Sequence, residues 1–160
     1  MPRPYDDIAE KLRALEGSRH DRMQAAANIL WDALAPTGIS WVGFYLAEPN
    51  ADEMILGPCR DKPACSPIGL HGACGRSWQS QRAFVVADVA SLGEQYIACD
   101  PRDRSELVIP LFDAGACWGV LDLDSHDLAS FSTHDAEQLN RLMAIAGLTT
   151  DQPREDPIVL

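Results

Sequence analysis

The sequence predicts an α+β domain in which helices flank an antiparallel β-sheet. Three observations lead to this prediction. The patterns along the chain give the order helix, helix, strands, short helix, strands and helix, and tight turns join strands where a parallel sheet would need crossover helices. The length of 160 residues suits one domain with its own core. We therefore expect a single domain over residues 1–150, followed by a short tail over residues 151–160.

Two helices and two strands are predicted in the first part of the chain. Apolar residues recur at helical spacing over residues 5–17 and again over residues 18–35, where the pattern stops before Pro36. β-branched and aromatic residues then predict a strand in ISWVGFYLAE, residues 39–48. After the turn signal PNADE, the sequence EMILGP predicts a second and shorter strand.

The second part of the chain starts with a loop or an irregular strand, because residues 59–75 are rich in glycine, proline and cysteine. A short helix in ACGRSWQSQR and a strand in AFVVADV follow, with a further loop through Tyr96. The strands ELVIPLF and ACWGVLDLD flank the turn DAG and predict a hairpin. A Ser/Thr cap opens a last helix in STHDAEQLNRLMAIAGLT, and we expect the tail DQPREDPIVL to be mobile or to act as an arm on a partner.

Charge and composition argue against several classes of function. The formal net charge is -11 and the pI is about 4.6, whereas binding to nucleic acid or to an anionic membrane requires clustered Lys and Arg. The start MPRPYDDIAEKL lacks the regions of a signal peptide, and no apolar run approaches the roughly 18 residues of a membrane span. We therefore expect a cytoplasmic protein that binds neither nucleic acid nor membrane.

The cysteines are odd in number: Cys59, Cys65, Cys74, Cys99 and Cys117. Structural disulfides are disfavoured in a cytoplasmic chain, which leaves metal binding, redox chemistry, catalysis or burial. We expect no metal, because the chain has no C-x₂₋₄-C pair. A cysteine hydrolase with Cys99 as nucleophile and His71, His126 or His134 as base has no local signature in its favour.

Cys99 lies in the charged stretch YIACDPRDRSELVIPL, which is unusual company for a structural thiol. Arg102 and Arg104 favour a thiolate at this position, whereas Asp100 and Asp103 oppose it. A reactive cysteine is therefore one interpretation of the stretch, and the charges alone do not decide it.

Acidic and aromatic residues on the predicted strands favour a polar pocket. Asp122 and Asp124 are two residues apart and share one face of a strand, and Glu106 opens the strand that follows Cys99. Trp41 and Tyr45 share a face of another strand. A solvated strand face and an aromatic core would also explain these residues, whereas a pocket for a small zwitterion would use the acids for its ammonium group and the aromatic rings as walls.

Several motifs together resemble the GAF-domain free methionine-(R)-sulfoxide reductases: WVGFYL, LGPCRDKPAC, GACG, YIACDPRDRSELVIPL and GVLDLDS. The resemblance runs from about Trp41 to the C-terminal helix. It implies a GAF-like fold, with helices on both sides of a central antiparallel sheet, and a homodimer. It implies reduction of free L-methionine-(R)-S-oxide to L-methionine, with thioredoxin as the external reductant and without a metal, flavin or nicotinamide cofactor.

The resemblance also implies a role for each matching residue. Cys99 would attack the sulfoxide sulfur and become a sulfenic acid, and Cys65 or Cys74 would resolve it as a disulfide. The pocket would consist of three acids that hold the sulfoxide oxygen and the amino group, and of two aromatic walls: Glu106, Asp122, Asp124, Trp41 and Tyr45.

The sequence departs from the family pattern in the loop CSPIGLHGAC, which is one residue shorter and lacks the usual basic residue and Gly-x-Gly. Cys59 is an additional thiol on that loop, and Cys117 lies in a strand and is expected in the core. The alternative functions are a GAF module that binds a small molecule without catalysis and a thiol redox sensor. Neither of them needs three acids that face the cysteine, so the acid set favours an enzyme.

Overall fold

The computed structural model describes residues 2–96 and 99–160 of the chain. The helices are α1 (Tyr5–Leu12), α2 (Arg19–Leu34), α3 (Ala73–Ser80) and α4 (Thr133–Ile145). The strands are β1 (Ile39–Leu46), β2 (Glu53–Arg60), β3 (Ile68–Gly69), β4 (Phe84–Val86), β5 (Ser105–Asp113), β6 (Ala116–Ser125) and β7 (Ile158–Val159). In these described ranges, no helix is both long enough and apolar enough to cross a membrane.

The strands form one sheet in the order β3-β2-β1-β6-β5-β4-β7. Neighbouring strands are antiparallel except for β4 and β7, which pair in parallel. The predicted α+β fold is therefore confirmed, and the long hairpin β5–β6 turns at the DAG sequence as expected. The parallel pair makes the sheet mixed, where the sequence predicted a purely antiparallel one.

The last residues of the chain belong to the sheet. The N–H groups of Ile158 and Leu160 donate to the carbonyl groups of Ala83 and Val85, at 2.8 and 2.9 Å. This pairing fixes β7 along β4 at the sheet edge. The expectation of a mobile tail or a partner arm is wrong for these residues, because their hydrogen bonds are made within the chain.

Strand β2 continues two residues beyond Pro58, where the prediction ended it. Its register to β1 shifts between Leu56 and Cys59, so that Gly57 and Pro58 lie in a bulge. The proline therefore falls where the ladder is already interrupted, and its missing N–H does not end the strand. As a result, Cys59 lies on a strand, which is one of the two alternatives that the sequence left open for the start of residues 59–75.

Each face of the sheet carries its own core. Helices α1, α2 and α4 cover one face, whose buried side chains include Val42, Phe44, Leu107, Ile109, Leu121 and Leu123. Helix α3 and the 3₁₀ turn of residues 89–95 cover the other, which includes Trp41, Tyr45, Met54, Phe84, Val108 and Val120. The resemblance implied helices on both sides, and the two cores have this arrangement.

Candidate active site

Three carboxyl groups meet on the face of the sheet that carries α3. Glu106 of β5 pairs directly with Asp124 of β6, and Asp122 precedes Asp124 by two residues on the same strand. Because side chains alternate along a strand, all three project to the same side. Glu106 and Asp122 are only 7% and 5% exposed. The predicted common face of the two aspartates is therefore observed, and it is not a solvated face.

A cavity of about 630 Å³, counted out to its open mouth, lies over these acids. Its lining combines the acids with aromatic, apolar and cysteine side chains: Trp41, Tyr45, Lys62, Pro63, Ala64, Ile68, Ala73, Cys74, Tyr96, Cys99, Asp100, Asp103, Glu106, Asp122 and Asp124. All five of the acidic and aromatic residues singled out in the sequence belong to this one cavity.

Trp41 and Tyr45 form one wall of the cavity and also hold a loop. Their ring centroids are 6.1 Å apart. The indole Nε1–H of Trp41 donates to the carbonyl oxygen of Lys62 at 2.9 Å, and the hydroxyl of Tyr45 donates to the carbonyl oxygen of Cys65 at 2.8 Å. The polar atoms of the two rings therefore fix the loop that follows β2, a role that the sequence did not reveal.

Gly43 separates the two aromatic residues on β1 and has to be small. A Cβ added at Gly43 would overlap the indole ring of Trp41 and lie 2.6 Å from the Cβ of Cys59. Because Gly43 also pairs with Asp122 of β6, the missing side chain lets the indole lie across the strand beside the acids.

The cysteines of the cavity have different environments. Cys65 and Cys99 form a disulfide with their Cα atoms 5.5 Å apart, and both residues are exposed. Cys74 on α3 is buried and unbridged, and its sulfur lies within 4.8 Å of a carboxyl oxygen of Glu106 and one of Asp122. The sequence left Cys65 and Cys74 open as partners of Cys99, and the structure has Cys65 as the partner. Residues 97 and 98, directly before Cys99, lie outside the described residues.

The other two thiols lie outside the disulfide. Cys59 on β2 and Cys117 on β6 are both half-buried and unbridged. The sulfur of Cys59 lies 3.7 Å from the carbonyl oxygen of Lys62, at the base of the loop that carries Cys65. Cys117 was expected in the core and is only partly buried.

The acids hold protons more tightly than ordinary carboxyl groups. Burial raises the pKa of Glu106 to about 7. Burial, followed by the charges of Asp124 and Glu106, raises the pKa of Asp122 well above its ordinary value. Burial and the charge of Glu106 do the same to the pKa of Asp124. Carboxyl groups that lie close together and are excluded from water favour their neutral forms. This cluster therefore retains protons near neutral pH.

Two further details concern proton sharing at the cavity floor, which consists of Glu106, Asp122 and Asp124. Burial, with the charges of the three acids, raises the pKa of Cys74 well above its ordinary value, so this thiol is neutral and able to donate to Asp122. The Oδ1 atom of Asp122 is buried and has no hydrogen-bond partner among the described residues. A buried oxygen without a partner is costly unless a ligand or water supplies one, so the floor is suited to receive a polar group.

Known proteins share this chain's sequence and fold. The family model of the GAF domain matches residues 18–151. The free methionine-R-sulfoxide reductase of Escherichia coli (strain K12) is 34% identical over 145 residues, which cover 88% of this chain and 84% of that protein. This chain belongs to the GAF-domain free methionine-(R)-sulfoxide reductase family. The resemblance inferred from the sequence is thereby confirmed.

Solved structures of this reductase family have the same fold. The free methionine-R-sulfoxide reductase of Neisseria meningitidis in complex with its substrate is 36% identical and gives a TM-score of 0.80, covering 89% of this chain and 85% of that one. The reduced form of the fRMsr of Staphylococcus aureus is 34% identical and gives a TM-score of 0.82, covering 91% of this chain and 94% of that one.

A charged rim lies beside the disulfide, and Lys62 and Ser40 are the members of it that the sequence did not indicate. Asp100 accepts hydrogen bonds from Lys62 at 2.7 Å and from Arg102 at 3.0 Å, and the hydrogen bonds from Arg102 and Lys62 hold its pKa well below the ordinary value. Asp103 accepts from Ser40 at 3.0 Å, and burial raises its pKa. The sequence placed Asp100, Arg102 and Asp103 beside Cys99 in the chain, but the contacts with Lys62 and Ser40 join distant segments and no local pattern indicates them.

The histidines do not serve as bases in the cavity, since among the described residues none of its lining side chains is a histidine. His126 instead contacts Asp100 at 3.3 Å and Asp103 at 3.5 Å, and the His134 ring packs edge-on against Tyr5. These contacts leave the cysteine hydrolase interpretation without its base.

Within the described part of the chain, two groups of side chains have ligand atoms close enough together to hold a cation. The first is Cys74, Glu106 and Asp122, and the second is Asp100, Asp103 and His126. In the second group the carboxylates already bind Lys62, Arg102 and Ser40. In the first group the raised pKa values favour neutral ligands, which bind a cation weakly.

Proposed function

We propose that this chain reduces free L-methionine-(R)-S-oxide to L-methionine, with Cys99 as its nucleophile. One observation carries the proposal: Cys99 lines the same cavity as three carboxyl groups with raised pKa values. A thiol alone suits a redox sensor and a polar cavity alone suits a binding module, whereas sulfoxide reduction uses both. Membership of the reductase family supports the same activity.

The acids divide the polar groups of the substrate between them. Asp124 is less buried than the other two acids, and we assign to it the ammonium group of the amino acid. Glu106 and Asp122 face the sulfoxide oxygen, which would give the unpartnered Oδ1 of Asp122 a hydrogen bond through a shared proton. Trp41 and Tyr45 enclose the methyl and methylene groups of the side chain.

The first chemical step transfers oxygen from substrate to enzyme. The Cys99 thiolate attacks the sulfoxide sulfur while a neutral carboxyl group, Glu106, gives its proton to the oxygen. The sulfur–oxygen bond of the substrate breaks and a sulfur–oxygen bond at Cys99 forms. The products are methionine, a Cys99 sulfenic acid and a carboxylate, so the substrate gains the two electrons that the thiol loses.

The second step protects Cys99 from further oxidation. The Cys65 thiol condenses with the sulfenic acid, which releases water and forms the Cys65–Cys99 disulfide. Cys74 is unsuited to this step because burial and the adjacent acids keep its thiol neutral. Its sulfur lies within 4.8 Å of a carboxyl oxygen of Glu106 and one of Asp122, so we assign to it a part in holding the acids in place.

Recycling needs an external dithiol, and we assign it to thioredoxin in the cytoplasm. Both sulfurs of the disulfide belong to exposed residues, so a thiolate of the reductant can reach them. No metal, flavin or nicotinamide enters this cycle, since the thiols carry all the electrons. We expect a homodimer, as the family resemblance implies.

The test is an activity assay with three substrates and dithiothreitol as reductant: free methionine-(R)-sulfoxide, the free S epimer and a peptide-bound sulfoxide. We expect turnover of the free R epimer alone and its loss in Cys99→Ser, with Cys117→Ser as the matched thiol control. Equal turnover of all three substrates, or of none, would refute the proposal. A disulfide that forms with peroxide while no sulfoxide is reduced would instead support a redox sensor.

A further inference from the structure

An ion pair lies beside the disulfide and joins the same two segments of chain. The ammonium nitrogen of Lys62 is 2.7 Å from Oδ2 of Asp100. Lys62 precedes Cys65 by three residues, and Asp100 directly follows Cys99. The disulfide and the ion pair therefore form two parallel links between the loop after β2 and the segment before β5.

The loop that carries Lys62 is fixed from below by the aromatic wall. The carbonyl group of Lys62 accepts from the Trp41 indole at 2.9 Å, and the carbonyl group of Cys65 accepts from the Tyr45 hydroxyl at 2.8 Å. These bonds set the height of the loop above the sheet. They do not reach the segment that carries Cys99, whereas the Lys62 side chain reaches Asp100 in that segment.

The opposite end of the ion pair is also held in place. Oδ1 of Asp100 accepts from the backbone N–H and from Nε of Arg102, both at 3.0 Å, and His126 lies 3.3 Å from Oδ2. The Asp100 side chain is only 12% exposed, against 44% for Lys62. A fixed carboxylate thus meets a flexible ammonium group, whose attachment draws one loop toward the other.

Few lysines elsewhere in the sequence could take over the role of Lys62. It is one of two lysines in the chain, the other being Lys11 on α1. Among the described residues that line the cavity, Lys62 is also the one basic side chain, against five acids. Removing it therefore leaves the described cavity lining without a basic side chain. Arg102 also binds Asp100, but it lies two residues from Asp100 on the same segment and does not join the two segments.

We propose that the Lys62–Asp100 ion pair is a latch that positions Cys65 against Cys99 for disulfide formation. In this proposal, which rests on the proposed function, Lys62 is a positioning residue for the resolving step. It acts through the loop and touches neither the substrate nor the reacting sulfurs.

The first test measures the latch without any substrate. The reduced protein is equilibrated with oxidised glutathione, which yields the protein disulfide and two molecules of reduced glutathione, and the oxidised fraction is read by mass spectrometry. We expect Lys62→Met to lower the equilibrium constant for the disulfide by about threefold, the size expected of a half-exposed ion pair. Lys62→Arg restores the wild-type value, and Lys11→Met is the matched control.

The charge of Lys62 also stabilises a nearby thiolate, so the same equilibrium is measured at pH 6 as well as at pH 7.5. A cysteine of ordinary pKa is protonated at pH 6, so an effect of Lys62→Met that persists at this pH reports the latch and not the stabilisation of a thiolate. A second check is a double-mutant cycle, in which Lys62→Met has no effect once Asp100→Asn has removed the partner charge. An unchanged equilibrium at pH 6, or a full effect of Lys62→Met in the Asp100→Asn background, would overturn the latch.

The last test separates positioning from substrate binding. In a single turnover with free methionine-(R)-sulfoxide, we expect Lys62→Met to slow disulfide formation about threefold relative to methionine release, so that dimedone traps more Cys99 sulfenic acid. An equal drop in both rates would mean that Lys62 binds the substrate carboxylate, and the latch would be wrong. Failure of the wild-type protein to release methionine would refute the proposed function, while the glutathione equilibrium would still decide on the latch.

Discussion

The buried carboxyl group of Glu106 makes a quantitative prediction about stability and pH. The change Glu106→Gln keeps the shape of the side chain and removes its ionisation. Burial raises the pKa of Glu106 from 4.5 to about 7. Since one pKa unit corresponds to about 1.36 kcal/mol, ionising this group in the folded protein costs about 3 kcal/mol more than in the unfolded chain.

The sign follows from the order of the two pKa values. Below pH 4.5 the group is neutral in both states, and folding is not penalised. Between 4.5 and about 7 the unfolded chain releases the proton and the folded protein keeps it, so wild-type stability falls as the pH rises. The amide of the variant does not titrate. We therefore expect the stability of Glu106→Gln relative to wild type to grow across this window, reaching up to about 3 kcal/mol at pH 8.

The measurement is urea denaturation of the disulfide form at pH 4.5, 6 and 8, supported by thermal melts. For a chain of this size, about 3 kcal/mol corresponds to roughly 6–12 °C in Tm. The matched control is Glu137→Gln, at an exposed position of α4 on the other side of the sheet. A stability difference that stays flat from pH 4.5 to pH 8, or a variant that is less stable at pH 8, would refute the assignment of a buried proton to Glu106.

The proton on Glu106 also predicts how the activity depends on pH. If Glu106 donates to the sulfoxide oxygen, wild-type turnover falls as the pH rises through about 7. We expect Glu106→Gln to lose at least about 100-fold of the rate of methionine release and to lose that pH limb. A variant that gains stability at pH 8 while it loses turnover would show that one group has both effects.

Three further predictions concern the cysteines and the aromatic wall. Cys65→Ser should lose thioredoxin-driven turnover while Cys74→Ser keeps more of it, as measured by NADPH consumption in a coupled assay; the reverse order would exchange their roles. Gly43→Ala should lower the free energy of unfolding by about 1–3 kcal/mol and raise KM, because its Cβ overlaps the Trp41 ring; an unchanged urea midpoint would contradict this. Tyr45→Phe removes the hydrogen bond to the Cys65 carbonyl group and should slow disulfide formation about two- to tenfold; stopped-flow thiol detection at the wild-type rate would refute it.

These variants have matched controls in the chain. Cys117→Ser removes a half-buried thiol away from the cavity. Gly57→Ala adds a Cβ on the neighbouring strand, where the nearest atom would be 3.4 Å away, an ordinary contact. Both controls should keep wild-type stability to within about 1 kcal/mol.

The sequence predicted those parts of the fold and the cavity that follow from local periodicity. The period of two in a strand placed Asp122 and Asp124 on one face, and Trp41 and Tyr45 on another strand's matching face. The register between strands then brought these faces together, which no local pattern states. Glu106 was found because it opens a strand directly after the cysteine loop.

The missed features depend on contacts between distant segments. Strand β7 pairs with β4, more than 70 residues away along the chain, so no local signal distinguishes it from a tail. The bulge at Gly57 and Pro58 resembles a turn in the sequence and is an interruption within β2. Lys62 and Asp100 belong to loops whose proximity depends on the folded sheet, and as single charges they resemble solvated surface groups.

The dual contacts of Trp41 and Tyr45 constrain any redesign of substrate scope. Their ring faces border the cavity, while their N–H and O–H groups hold the loop that carries Cys65. A smaller aliphatic residue at either position would widen the cavity for a bulkier sulfoxide and would also release the loop. An engineered variant with a larger pocket would therefore stall in the sulfenic acid state, unless the replacement supplied a new donor to the same two carbonyl groups.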